Sequence, residues 1–162
     1  MTRVIIDGDA CPVVDSVIEL TTGTGIFVTI LRSFSHYSNK VLPNHVETIY
    51  IDDGPDAVDY KIVKLATPED IVITQDYGLA SLLLSKVKIV MHHKGHLYRS
   101  SNIDMLLQQR YNNAQIRKQG GRHKGPPLFQ KKIKNNLSVH LNLLSNNYRR
   151  KNNEANCSIL RC

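Results

Sequence analysis

A three-layer α/β/α fold with a mostly parallel central sheet is the arrangement this chain predicts. Short runs of apolar, largely β-branched residues recur through the first 91 residues, as in Val4-Ile5-Ile6 and Ile71-Val72-Ile73. A continuous rather than alternating run suits a strand covered on both faces, as in a parallel sheet. Segments with helical spacing separate these runs, and strand alternating with helix implies parallel strands between helical layers. Acids also gather immediately after several of the runs, where open α/β sheets bind their ligands.

The first strand, around Val4–Ile6, ends in Asp7-Gly8-Asp9 and turns at once toward a helix. Gly8 permits a tight turn, Asp9 can cap the next helix, and Pro12 and Cys11 fall in its first turn. Two readings of the acid pair stand side by side. Either Asp7 and Asp9 share a hard divalent cation such as Mg²⁺ or Mn²⁺, or each simply caps a turn or helix. Val14, Val17 and Ile18 have helical spacing, and Thr21-Thr22-Gly23 stops that helix. Ile26–Leu31 predicts a second strand. The polar stretch from Ser33 to Pro43 follows it and is placed to overhang the site.

Val46–Ile51 predicts a third strand, ended by the turn Asp52-Asp53-Gly54-Pro55. Residues 57–66 read as a helix, with Asp56 and Asp59 three apart at its start. Acids there complement the helix dipole whether or not they do chemistry. Ile71–Thr74 predicts the fourth strand, closed by Gln75-Asp76, and Tyr77–Leu84 a short helix. Val87–Met91 predicts the fifth strand.

Beyond residue 91 the composition shifts. The first 80 residues hold twelve of the 14 acids and five of the 21 bases; the remainder holds two acids and sixteen bases. An acidic centre beside a basic surface suits a polyanionic partner, although a basic tail can serve solubility alone. His92-His93-Lys94-Gly95-His96 reads as a solvated basic loop, because its histidines lack the second ligand cluster of a zinc site. Asn102 is placed to cap a helix running through Arg117, and Phe129–Leu144 predicts a last helix. Between them, Gly120-Gly121-Arg122-His123-Lys124-Gly125 reads as a phosphate-facing loop or a plain linker. The expected organisation is one domain over residues 1–144, with an acidic core to 91, a basic helical annex from 92 and a polar tail over 145–162.

Three cysteines, an odd count, argue against a disulfide framework. No apolar run approaches the ~20 residues that span a bilayer, and no targeting segment is visible, so a cytoplasmic location and no membrane partner are expected.

Acids following strands one, three and four converge on one edge if those strands lie near each other, as a doubly wound sheet allows. A shared carboxylate cleft is unstable without cations, and the chemistry most in keeping with it is metal-assisted phosphodiester hydrolysis. The motifs D-G-D-A-C-P-V, G-P-D-A-V-D-Y-K-I-V and D-I-V-I-T-Q-D-Y-G-L-A, followed by R-Y-N-N-A-Q-I-R-K-Q-G-G, resemble the YaiI/YqxD family, also called UPF0178 or DUF188. The resemblance runs from residue 1 to about residue 130. It implies a PIN-like or NYN-like nuclease fold using Mg²⁺ or Mn²⁺, with Asp7, Asp9, Asp56, Asp59 and Asp76 as metal-holding and catalytic acids. Thr74 matches the small hydroxyl residue before the last acid, and Asp52 and Asp53 fall outside the shared motif as turn residues. Lys61, Arg117, Arg122 and Lys124 are the candidate contacts to substrate phosphate.

The expected function is therefore a divalent-metal-dependent nuclease with nucleic acid as partner, RNA ahead of DNA. One alternative is a nucleic-acid- or partner-binding domain of the same fold with little turnover. The other is a phosphohydrolase of the haloacid-dehalogenase type, with Asp7 as nucleophile and Asp9 as general acid. That family's later acidic pair is missing, since Tyr77-Gly78 follows Asp76.

Overall fold

The computed structural model describes residues 3–118. Its elements are β1 (Arg3–Asp7), α1 (Val14–Thr21), β2 (Phe27–Ser33), β3 (Val46–Ile51), α2 (Ala57–Leu65), β4 (Ile71–Ile73), α3 (Tyr77–Leu83), β5 (Ile89–Met91) and α4 (Ser100–Lys118). The sheet runs β3-β2-β1-β4-β5, and every pairing is parallel.

Strand alternation sends successive side chains to opposite faces, and here both faces are covered. Val4 and Ile6 of β1, Val28 and Ile30 of β2, and Ile71 and Ile73 of β4 pack with Val14, Val17 and Ile18 of α1. Ile5, Leu31 and Val72 pack with Val58 and Ile62 of α2, Leu79 and Leu83 of α3, and Ile103 of α4. This is the three-layer α/β/α arrangement, and it explains the unbroken apolar runs. Burying one such Ile or Leu side chain contributes about 1.5–3 kcal/mol.

Several local expectations change. Strand β2 continues through Arg32 and Ser33, because these residues pair with Tyr50 and Ile51 of β3. Strand β5 begins only at Ile89; the amides of Lys86 and Val87 are held by the Leu83 carbonyl at the end of α3. Asp9 does not cap α1. That helix starts at Val14 with no side-chain cap, so Cys11 and Pro12 precede it rather than lie in its first turn. Asn102 sits inside α4 and reaches back, its Oδ1 accepting from the Arg99 amide at 2.9 Å.

The histidine loop is packed rather than solvated at His92 and His93, while His96 stays exposed. His92 and His93 are buried. An antiparallel bridge between Met91 and Leu97 folds the turn back on itself, and Gly95 takes the positive φ of 82° that the turn requires. The His92 ring lies 4.1 Å from that of His93 and 4.3 Å from that of His96, with Tyr77 and Tyr98 against it. Burial holds His92 down to about 3 and His93 to about 4, so both are neutral near pH 7. The expected helix over 129–144, and the 145–162 tail, lie outside the described residues.

Candidate functional site at the carboxyl end of the sheet

The strand order reverses between β1 and β4, and such a switch point opens a crevice at the strands' carboxyl ends. Alternation sets Asp7, the last residue of β1, on the α2 side of the sheet, with Ile5. The chain from β3 returns through α2 on that side and delivers Asp56 and Asp59. Strand β4 delivers Thr74 and Asp76. The result is a cleft of about 340 Å³ lined by Asp7, Asp9, Asp56, Asp59, Asp76 and also Asp53.

Each acid is held differently. Asp7 is buried, and its Oδ2 accepts from the Thr74 hydroxyl at 2.9 Å. The same hydroxyl oxygen accepts from the Asp76 amide at 3.0 Å, so Thr74 ties the end of β1 to the start of α3. Asp76 caps α3, its Oδ1 accepting from the amides of Gly78 at 2.6 Å and Leu79 at 3.0 Å. Its Oδ2 meets Arg110 Nη1 from α4 at 2.8 Å. Asp9 accepts from the Ser33 amide at 3.0 and 3.1 Å and approaches His36 Nδ1 at 3.1 Å. Asp53 Oδ1 accepts from the Ser35 amide at 3.2 Å.

Asp56 precedes α2 with φ 56°, in the left-handed region, and its side chain makes no capping hydrogen bond. Asp tolerates that conformation better than most residues, yet such strain is characteristic of functional sites.

The charges in the cleft are in conflict. Burial pushes the Asp7 carboxyl above its usual range against the pull of Thr74, and Asp9 and Asp76 push it further. Asp59 is pushed up to about 6, first by burial and then by the charges of Asp7, Asp76 and Asp56. Burial acts on Asp76 in the same sense, but the Leu79 and Gly78 amides and Arg110 outweigh it and hold it low.

The donor set is entirely carboxylate oxygen, which fits a hard divalent cation and not a soft one. Among the described residues no three His, Cys, Asp or Glu side chains are gathered tightly enough to form a ready-made cage for one ion. Cys11 is buried beside the Asp7 turn, and burial pushes its thiol up to about 12, which disfavours the thiolate.

Lys61 is exposed on α2 and does not line the cleft. Arg117 falls in α4, and Arg122 and Lys124 lie outside the described residues. Two residues of the site carry a weaker signal in the sequence: Arg110, which opens the R-Y-N-N motif, and Asp53, two residues after β3, which reads as a turn residue. A larger cavity of about 470 Å³ opens at the opposite end of the sheet. Its charged and histidine side chains are already engaged, Arg3 with Asp70, Glu47 with Thr29 and His45 with Thr21, so the acid cleft is the better candidate for chemistry.

A parallel α/β/α domain with an acid-lined cleft at its topological switch point is the class that fold and site define. The profile of the uncharacterised bacterial YaiI/YqxD family matches residues 5–147, and the chain belongs to that family. It is 97% identical over 134 residues to a UPF0178 protein of Staphylococcus haemolyticus, covering 83% of this chain and 90% of that one. It is 75% identical over 131 residues to a UPF0178 protein of Staphylococcus aureus strain MRSA252, covering 81% and 86%. No solved structure matches. Among the described residues no helix is long and apolar enough to cross a membrane.

Proposed function

We propose that this protein is a divalent-metal-dependent nuclease acting on RNA ahead of DNA, in the cytoplasm. The observation that carries the reading is the convergence of acids from three strand ends on one cleft, where burial and mutual repulsion raise Asp7 and Asp59. Asp7, Asp9, Asp56, Asp59 and Asp76 would hold Mg²⁺ or Mn²⁺. When bound, such an ion neutralises phosphate charge and makes water a stronger nucleophile.

The protein's own contribution is orientation. Thr74 fixes Asp7, and the first amides of α3 fix Asp76. Asp9 pins the 33–36 rim of the cleft. Arg110, half-exposed beside Asp76, brings a guanidinium to which a phosphate can bind. Lys61, Arg117, Arg122 and Lys124 are proposed as further backbone contacts.

The test is cleavage of end-labelled single-stranded RNA and DNA with Mn²⁺, Mg²⁺ or EDTA, beside an Asp7→Asn, Asp76→Asn double variant. Asn also caps helices well, so α3 should survive the change. Metal-dependent cleavage that disappears in the variant supports the reading. Salt-sensitive binding without cleavage by either protein would favour a binding domain instead.

A further inference from the structure

The segment from Ser33 to Tyr37 forms one wall of the acid cleft and carries an aromatic cluster beside it. Ser33 and Ser35 line the cleft. Phe34 stacks on Tyr50 with ring centroids 5.7 Å apart at 22°, and Tyr37 meets Tyr50 at 5.0 Å. Phe34 is 52% and Tyr37 61% exposed. Tyr50 is held in place from the other side, its hydroxyl accepting from the Ser38 amide and donating to the Ser38 carbonyl, both at 3.1 Å. The whole segment is fastened to the cleft by Asp9, through the Ser33 amide and His36. Two aromatic rings so exposed, on a base so fixed, are not explained by the core.

A second observation points to what they meet. Arg32 lies directly over the first turn, so close to Gly8 that a Cβ there would stand 2.5 Å from its Cγ. Its Nε is buried and has no hydrogen-bond partner among the described residues, and no ion pair of the guanidinium is found there. A buried guanidinium N–H left without an acceptor is costly. Arg32 opens on a small recess of about 30 Å³ that it shares with Tyr50, Ser38, Thr48, Lys40 and Asp15, so a phosphate would sit at its mouth. Among the described residues Lys40 pairs with exposed Asp15, a surface pair that is easily exchanged.

We propose that Phe34, Tyr37 and Tyr50 form a stacking platform for an unpaired base of single-stranded RNA, with Arg32 and Lys40 holding the adjacent phosphate. The proposal deepens the nuclease reading and rests on it for the direction of the strand, which passes from the platform across Ser33–Ser35 into the acid cleft. Aromatic faces take any base, so the platform selects unpaired strand and not sequence. A duplex keeps its bases stacked on each other and has none to offer.

The experiment uses the full chain in EDTA and a single-stranded RNA of about ten nucleotides, with 2-aminopurine placed at each interior position in turn. The chain has no Trp, so the probe's fluorescence is read without interference. Quenching at one register is expected, with binding weakened about 5- to 100-fold by Phe34→Ala or Tyr37→Ala. Tyr37→Phe should bind like the parent and Tyr37→Leu should not, which separates stacking from mere apolar contact. Arg32→Met should lower the salt dependence of binding by about one phosphate contact. Parent-like binding by folded Phe34→Ala and Tyr37→Ala, or equal affinity for the duplex, overturns the proposal. Cleavage of the same RNA in Mn²⁺ is read separately. Cleavage without quenching leaves the nuclease reading and removes the platform, whereas quenching without cleavage keeps the platform and removes the nuclease.

Discussion

At the amino end of the sheet, buried Asp70 is fully matched. Arg3 donates to it through Nε at 3.3 Å and Nη2 at 2.8 Å, and Thr67 donates through its amide at 2.8 Å and its hydroxyl at 3.0 Å. At the carboxyl end, buried Asp7 has the Thr74 hydroxyl and the Ala10 amide, and it faces Asp9 and Asp76. The two ends are built from the same strands and differ in what they do with a carboxylate. One end satisfies it with a cation from the chain itself. The other gathers several carboxylates, with Arg110 the one Lys or Arg paired to them among the described residues, a state that favours a cation from outside.

The largest effects should separate these ends by stability. Arg3→Met leaves Asp70 buried without its charge partner and should lower the unfolding free energy by about 3 kcal/mol, read from denaturant midpoints. Asp7→Asn in EDTA should do the opposite and raise stability by about 1 kcal/mol, since it removes repulsion while Asn can still accept from Thr74. A loss of stability in Asp7→Asn would mean the acids are structural.

The next effect is in pH. Asp59 sits near 3.8 when unfolded and about 6 when folded, so the folded state holds its proton more tightly. Stability from this group is complete below 3.8 and is lost as pH rises toward about 6. Asp59→Asn should remove that decline. The histidine cluster acts in the other direction. Its members sit near 6.5 unfolded and lower when folded, so their contribution is complete above 6.5 and is lost as pH falls toward about 4 and then 3. His92→Phe should therefore reduce acid lability, as followed by circular dichroism.

The smallest effect is expected at Lys40. Its pair with Asp15 is exposed on both sides, and Lys40→Ala should change stability by less than about 0.5 kcal/mol. The same change should weaken RNA binding measurably in a salt titration.

Much of the fold was legible because its signals are local. Val4–Ile6 and Ile71–Ile73 are buried on both faces, and that burial writes itself as an unbroken apolar run. The acids Asp7, Asp56, Asp59 and Asp76 stand right after strands or at helix starts, so order along the chain suggested where they would gather. What could not be read depends on residues distant in sequence. Asp9 is spent on the Ser33 amide, 24 residues away, rather than on the neighbouring helix. Arg110 reaches Asp76 across 34 residues. The burial of His92 follows from Tyr77 and Tyr98 closing over a turn that looks polar in sequence. Arg32 gave no signal, because lacking a partner is visible only once its neighbours are known.

The most direct measurement is a Mn²⁺ titration of the unfolding free energy for the parent, Asp7→Asn and Arg3→Met. If the unmatched carboxyl end holds the cation, the parent gains about 2.7 kcal/mol at a hundredfold excess over the dissociation constant. Arg3→Met should gain as much from its lower baseline, and Asp7→Asn should gain far less. Equal gains in the parent and Asp7→Asn, or none in the parent, would contradict the claim that the cleft acids are arranged for a divalent ion.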